Sequence, residues 1–347
     1  MKYSVGITAL LATLAQGAAV MNKRDTPLDV KIQVVNNSEV KASITNSGSS
    51  SIKVLKTGSI LDSADVEKSV IMAGENKVEF DGIRYQVATA GLPAEAFQVI
   101  EAGETVEVSF NVASTHDFAQ GGDFDIAALG TFSVAEPDSG DISSAMAFES
   151  NHVKAHIDGA EAAEVRRSYL AKRTNVQSDC TSTRRTQTIN AINSCRSLAQ
   201  RAASAAQSNS AKVNEYFKST SSSAINTVVT TFNRIASECN PTGGASRQYC
   251  TDQIGACSAG VIAYTVPSQS IMVNCPTFFS LPTTSSACRA QTQDNTILHE
   301  VTHLSQVKGT QDYNCYGYTC VRQLSSAQNL NHADTYTLFA QAIKVGC

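Results

Sequence analysis

The segment His299-Glu300-Val301-Thr302-His303 sets two imidazoles four residues apart, with a carboxylate beside the first. On a helix, one turn brings His299 and His303 to the same face, where both can grip one zinc ion at about 2.0–2.1 Å. Glu300 then lies within reach of a water on that ion. Zinc would polarise the water, and the carboxylate would accept its proton as the oxygen attacks a carbonyl carbon. A catalytic zinc also needs a third protein ligand and an open position. No Glu follows Glu300, position 309 is Gly309 where a longer motif would place a third His, and no Met follows Met272. The downstream candidates are therefore Asp312, His332 and Asp334. Asp312 is preferred, because Gly309-Thr310-Gln311 reads as a turn that ends the helix and folds the chain back towards the metal.

Positioning this trio requires a helical scaffold. Ile297, Leu298, Val301 and Leu304 give the segment Asn295 to Val307 an apolar side, so a helix is expected there. Helical spacing also marks Arg184 to Gln207, Ser223 to Glu238 and His332 to Val345. Short strands are expected at Gly260 to Tyr264 and Ser270 to Asn274, and the second of these is expected to receive substrate backbone as an added strand. Upstream, Val30 to Val35 and Thr105 to Val112 alternate apolar and polar at period two, with Gly/Asn/Ser turns between strands. An antiparallel sandwich is the natural class for about residues 30–135. The whole reads as α+β: a mostly helical, disulfide-rich C-terminal domain with a small sheet, preceded by an all-β, sandwich-like segment.

The two parts differ in chemistry. Of 347 residues, the first 179 hold no cysteine, and all ten cysteines lie between Cys180 and Cys347. The formal charge of −4 divides into −8 before Thr174 and +4 from there on. With no Lys/Arg run beyond a pair, nucleic acid is set aside as a partner. Lys2, the apolar run Val5 to Ala15 and the small residues Gly17, Ala18 and Ala19 form the three sections of a secretory leader, cut after Ala19. No later stretch approaches the roughly 20 apolar residues of a membrane helix, so no membrane partner is expected. Export makes ten cysteines readable as five disulfides. The dibasic pair Lys172-Arg173 coincides with the cysteine boundary and reads as a processing site. The expected organisation is a leader over 1–19, a propeptide over 20–173 and a mature domain over 174–347. The propeptide would act as inhibitor or chaperone, and a dibasic processing protease would release it.

HExxH followed by Gly309-Thr310-x-Asp312, then Tyr316-Gly317 and the block Asn331-His332-Ala333-Asp334-Thr335-Tyr336, resembles the aspzincins. The whole chain is similar to their fungal branch, the deuterolysins of peptidase family M35. The resemblance implies a zincin-like secreted endopeptidase with zinc on His299, His303 and Asp312, and with Glu300 as general base. It implies that Asp334 orients a ligand imidazole and that a tyrosine donates a hydrogen bond to the oxyanion. The usual pattern places that tyrosine three residues after the aspartate; here Cys315 stands there and the tyrosine is Tyr316, one later, with Tyr313 as an alternative. The resemblance further suggests the pairs Cys180–Cys250, Cys257–Cys275 and Cys288–Cys347, leaving Cys195–Cys239 and Cys315–Cys320. Protein or peptide substrates are then the partners. The alternative from another class is a secreted, disulfide-stapled binding protein with a structural or vestigial zinc.

Overall fold

The computed structural model describes residues 26–172, 179–241 and 243–347. The expected leader and Arg173 of the expected processing site lie outside the described residues.

The N-terminal part is built on three sheets. Strands β1 (Leu28–Val34), β2 (Glu39–Asn46) and β8 (Thr105–Asn111) form the first, with Val30 opposite Ile44 and Ala42 opposite Val108. The second runs in the order β11 (Ile142–Glu149), β10 (Leu129–Ala135), β3 (Ile52–Leu55), β7 (Phe97–Ile100). The third runs β12 (Val153–Ile157), β9 (Gly122–Ala127), β4 (Val70–Ala73), β5 (Asn76–Lys77). Alternation in β1 sends Leu28, Val30 and Ile32 inward, where they meet Ile44, Ile71, Ile126, Phe132 and Ile157 in one core. Two expectations for this part need correction. Three sheets share its core instead of two, and it is not all-β, because α1 (Val112–Thr115) and the 14-residue α2 (Gly159–Lys172) pack on each other against it. Helix α2 docks through the buried Ala162 and through Arg166, which reaches Asp81 and the Ser114 carbonyl.

The C-terminal part carries α3 (Ser182–Ser208), α4 (Ser210–Phe217), α5 (Ser222–Glu238), α6 (Pro276–Ser280), α7 (Gln293–His303), α8 (Gly317–Gln323), α9 (Ser326–Asn329) and α10 (Ala333–Val345). Helices α3, α5, α7 and α10 enclose an apolar core that includes Leu198, Phe232, Ile297, Val301, Tyr336 and Phe339. Five disulfides tie this part together, in the pairing that the resemblance suggested: Cys180–Cys250, Cys195–Cys239, Cys257–Cys275, Cys288–Cys347 and Cys315–Cys320.

One sheet joins the two parts. Its order is β13 (Arg247–Tyr249), β15 (Ile271–Asn274), β14 (Val261–Val266) and β6 (Arg84–Val87), the last supplied by the N-terminal part. Strand β14 is rich in β-branched residues and buried along its length, as a strand covered on both faces must be. It pairs antiparallel with β15 through the turn at Pro267 and Ser270, and antiparallel with β6 on its other side. The expectation that the Ser270 to Asn274 strand would take an added peptide is thereby corrected. Strand β15 already has β13 and β14 as neighbours, and β14 offers the edge that receives a strand from elsewhere in the chain. No helix among the described residues is long and apolar enough to cross a membrane.

Candidate active site

Helix α7 begins at Gln293, two residues earlier than its periodicity suggests, because Thr292 and Asn295 close a capping box in which the Thr292 N–H donates to Asn295 Oδ1 at 3.0 Å. It ends at His303, four residues early. Leu304 takes extended backbone, and its carbonyl accepts from the N–H groups of Val307, Lys308 and Gly309 in a tight return. Gly309 has φ of 67°, a left-handed value that favours glycine. This early stop is what carries the next segment back over the helix. The Thr310 N–H donates to the Thr302 carbonyl at 3.1 Å, and the Thr310 and Thr302 hydroxyls lie 2.6 Å apart. Gln311 is then stitched to the chain before α10, donating to the Asn331 carbonyl at 2.8 Å and accepting from Ala333 at 3.1 Å. Asp312 follows directly.

Three side chains converge. Asp312 Oδ1 lies 3.3 Å from His299 Nε2 and 3.3 Å from His303 Nε2. Each imidazole is aimed by its other nitrogen. His299 Nδ1 sits 2.9 Å from Asp334 Oδ1, and His303 Nδ1 sits 3.0 Å from the Thr310 carbonyl. With Nδ1 engaged by those acceptors, each ring turns its Nε2 towards Asp312, the atom that would ligate a metal. Asp334 is itself fixed at the start of α10, where its Oδ2 accepts from the Gly317 N–H at 2.6 Å. It thus touches a histidine of the cluster and not the convergence point. His332 is likewise occupied elsewhere, its ring between the Cys315 carbonyl and the Thr335 hydroxyl at 3.0 Å each.

The residues fit a zinc ion on two observations. His303 Nε2 and Asp312 Oδ1 are buried without a hydrogen-bond partner, which native proteins rarely tolerate. In addition, bonds of about 2.0–2.1 Å in a tetrahedron place neighbouring ligand atoms about 3.3–3.4 Å apart, and both carboxylate–imidazole separations are 3.3 Å. The electrostatics agree. Burial alone would lower the His299 pKa, yet Asp312 and Asp334 raise it well above the usual value; burial would raise Asp312, yet His303 and His299 hold it well below.

Glu300 lies on α7 beside the first imidazole. Thr265 of β14 donates to its Oε2 at 2.6 Å, while its Oε1 is buried without a hydrogen-bond partner. Burial raises its pKa, opposed by His299 and His303. Tyr316 caps the start of α8 and packs in the same apolar cluster as Tyr85 and Tyr264. Burial, then Asp312 and Asp334, push its pKa well above 10, so it remains a hydrogen-bond donor. Tyr313 is engaged elsewhere, its hydroxyl 3.4 Å from Asn331 Nδ2 and its ring against His332.

Sequence reasoning missed three contributors. Thr265 falls one residue beyond the strand that was expected. Tyr85, on β6, directs its carbonyl oxygen to 3.2 Å from His299 Nε2, and no local pattern announces a backbone atom brought from 214 residues away. Gly58 packs against the Tyr316 hydroxyl, which lies 2.7 Å from where a Cβ would stand.

The model of the deuterolysin metalloprotease (M35) family matches residues 1–347. The chain is 93% identical to a neutral protease 2 homolog of Pyricularia oryzae over the full length of both. A neutral protease 2 homolog of Colletotrichum graminicola is 56% identical, again across both full chains. A solved zinc peptidase from Grifola frondosa matches 47% of this chain and 97% of its own, with a TM-score of 0.40 and 24% identity. The chain belongs to the deuterolysin metalloprotease (M35) family and is a metalloendopeptidase.

Proposed function

We propose that the protein is a secreted zinc endopeptidase made as an inactive precursor, with zinc held by His299, His303 and Asp312. Bound there, zinc supplies Lewis acidity to the substrate carbonyl and to the attacking water. Glu300 takes the proton from that water through Oε1 and delivers it to the leaving amine, while Thr265 holds Oε2 in place. Tyr316, kept protonated by its surroundings, donates to the oxyanion of the tetrahedral adduct. Asp334 keeps His299 in the tautomer that presents Nε2. Residues 1–19 serve as the export leader, residues 20–173 as the pro-segment, and cleavage after Lys172-Arg173 releases the catalytic domain of residues 174–347. The pro-segment restrains the enzyme by laying β6 along β14, with the Tyr85 carbonyl beside His299.

The observation that carries this reading is the buried trio in which Asp312 Oδ1 lies 3.3 Å from His299 Nε2 and from His303 Nε2 with no hydrogen bond made by His303 Nε2 or Asp312 Oδ1, beside Glu300. The test expresses the full chain and follows casein clearance by the enzyme it yields. Chelation should abolish clearance and added zinc restore it. Glu300→Gln should retain zinc and lose about 10³-fold in turnover. A Glu300→Gln enzyme that cuts casein at the wild-type rate refutes the mechanism.

A further inference from the structure

Strand β6 and the residues after it run as an extended segment beside β14 and the His299 ring. In β6 and the residues after it, alternate backbone groups face opposite ways. The Ala88 N–H donates towards β14, to the Gly260 carbonyl at 2.8 Å. The odd-numbered residues face the other way. The Tyr85 carbonyl points at His299, and two residues on, the Val87 carbonyl accepts from Gln291 Nε2 at 2.8 Å. Two residues further, the Thr89 N–H donates to Gln291 Oε1 at 3.0 Å. One side-chain amide thus meets a carbonyl and an N–H with the donor and acceptor pattern of a neighbouring strand, and it ignores what side chains the peptide carries.

We propose that Gln291 is a backbone clamp for substrate, holding the residues two and four positions C-terminal to the reacting carbonyl in whatever peptide pairs with β14. The proposal rests on the peptidase reading above. Gln291 is well placed for the task. It directly precedes the capping box of α7, the helix that carries His299, Glu300 and His303. Its neighbour Ala290 is pinned through its carbonyl by Asn295 Nδ2 at 2.7 Å and by Gln341 Nε2, and the loop before it is tied down by Cys288–Cys347. The distance from clamp to reacting carbonyl is therefore set by one rigid element. The substrate class that follows is an extended peptide with at least four residues beyond the scissile bond, of tolerant sequence at the clamped positions.

The test pairs enzyme variants with substrate length. Enzyme obtained from the full-length gene, wild type and Gln291→Ala, is assayed on two peptides sharing the same scissile bond, one with four residues after it and one with a single residue. Loss of two hydrogen bonds should raise KM about 10-fold on the long peptide with kcat within about 3-fold, and the increase should shrink to about 2-fold on the short one. Gln291→Met, which keeps the length of the side chain without its amide, should repeat the pattern if Gln291→Ala folds poorly. In the Glu300→Gln background, fluorescence anisotropy of the labelled long peptide should show its Kd weakened by the same factor, with no turnover needed. An equal KM change on both peptides, or none on the long one, overturns the clamp. If instead Glu300→Gln retains full activity, the peptidase reading fails, and that result is separate from the length comparison.

Discussion

The N-terminal and C-terminal parts of this chain meet at the candidate active site and contribute opposite things to it. Every side chain of the proposed chemistry, His299, Glu300, His303, Asp312 and Tyr316, lies on the C-terminal side, as do all five disulfides. The N-terminal part has no cysteine and brings a strand, whose backbone carbonyl at Tyr85 faces His299. No disulfide crosses from one part to the other among the described residues. Were the connecting chain cut, only β-pairing, packing and hydrogen bonds such as Thr57 to the Ala259 carbonyl would hold them together. In the loop-entropy picture the four long C-terminal bridges contribute about 3–4 kcal/mol each, and the short Cys315–Cys320 loop about 2. The N-terminal part has no such bridge and rests on its apolar core and on buried ionic contacts such as Arg84 to Glu67. The lesson is that durability and chemistry are placed together, and the element covering the site is held by forces that can be undone.

Acid should separate the two parts most strongly. His116 is buried in the N-terminal part, and burial pulls its pKa down to about 4. Above pH 6.5 it is neutral whether folded or unfolded, and its contribution is complete. As pH falls from 6.5 towards 4, the unfolded state takes up the proton first, and the folded N-terminal part loses about 3 kcal/mol, on the order of 10²-fold in its folding equilibrium. Glu67 adds a later step. Burial would raise it, but Arg84 at 2.6 Å holds it at about 2, so its contribution persists above pH 4.5 and is lost as pH falls towards 2. Hydrogen exchange should show protection lost first in N-terminal peptides, with His116→Asn flattening the pH 6.5 to 4 step. Loss of protection in both parts together at one pH would break the contrast.

Asp334→Asn sharpens the contrast from the other side. It removes the charge behind His299 and the acceptor for the Gly317 N–H, and should weaken metal binding about 10- to 100-fold in a chelator competition. Protection of the N-terminal sheets should stay as in the wild type. Gly58→Ala probes the seam with the smallest effect. At φ of 73° a side chain is strained, and its Cβ would press on the Tyr316 hydroxyl, so the two parts should associate about 10-fold more weakly after cleavage. Unchanged co-elution of the cut halves would remove Gly58 from the seam.

The sequence made the site legible where chemistry is local. HExxH lies within one helical turn, and Asp312 follows nine residues later on a turn marked by Gly309, so both could be read from spacing. The ends of α7 could not, because they depend on Asn295 folding back on Thr292 and on Leu304 turning extended. Long-range pairing left still less trace. Strand β6 is only four residues long; Arg84-Tyr85-Gln86-Val87 alternates polar and apolar, but the run is too short to stand out, and burial of all four, Arg84 and Gln86 included, is a product of the fold. Its partner β14 lies far along the chain, and only the fold identifies Thr265, Gln291 and the Tyr85 carbonyl as neighbours of the site. The disulfide pairing followed from family likeness, since ten cysteines alone do not determine it.

The account stands on the metal grip. Diffraction from zinc-soaked crystals of the full chain, recorded above and below the zinc absorption edge, measures it directly. The account predicts a single strong anomalous peak bounded by His299 Nε2, His303 Nε2 and Asp312 Oδ1, with Asp334 touching only the far side of the His299 ring. No peak between the two imidazoles, or one whose carboxylate belongs to Asp334, would contradict it.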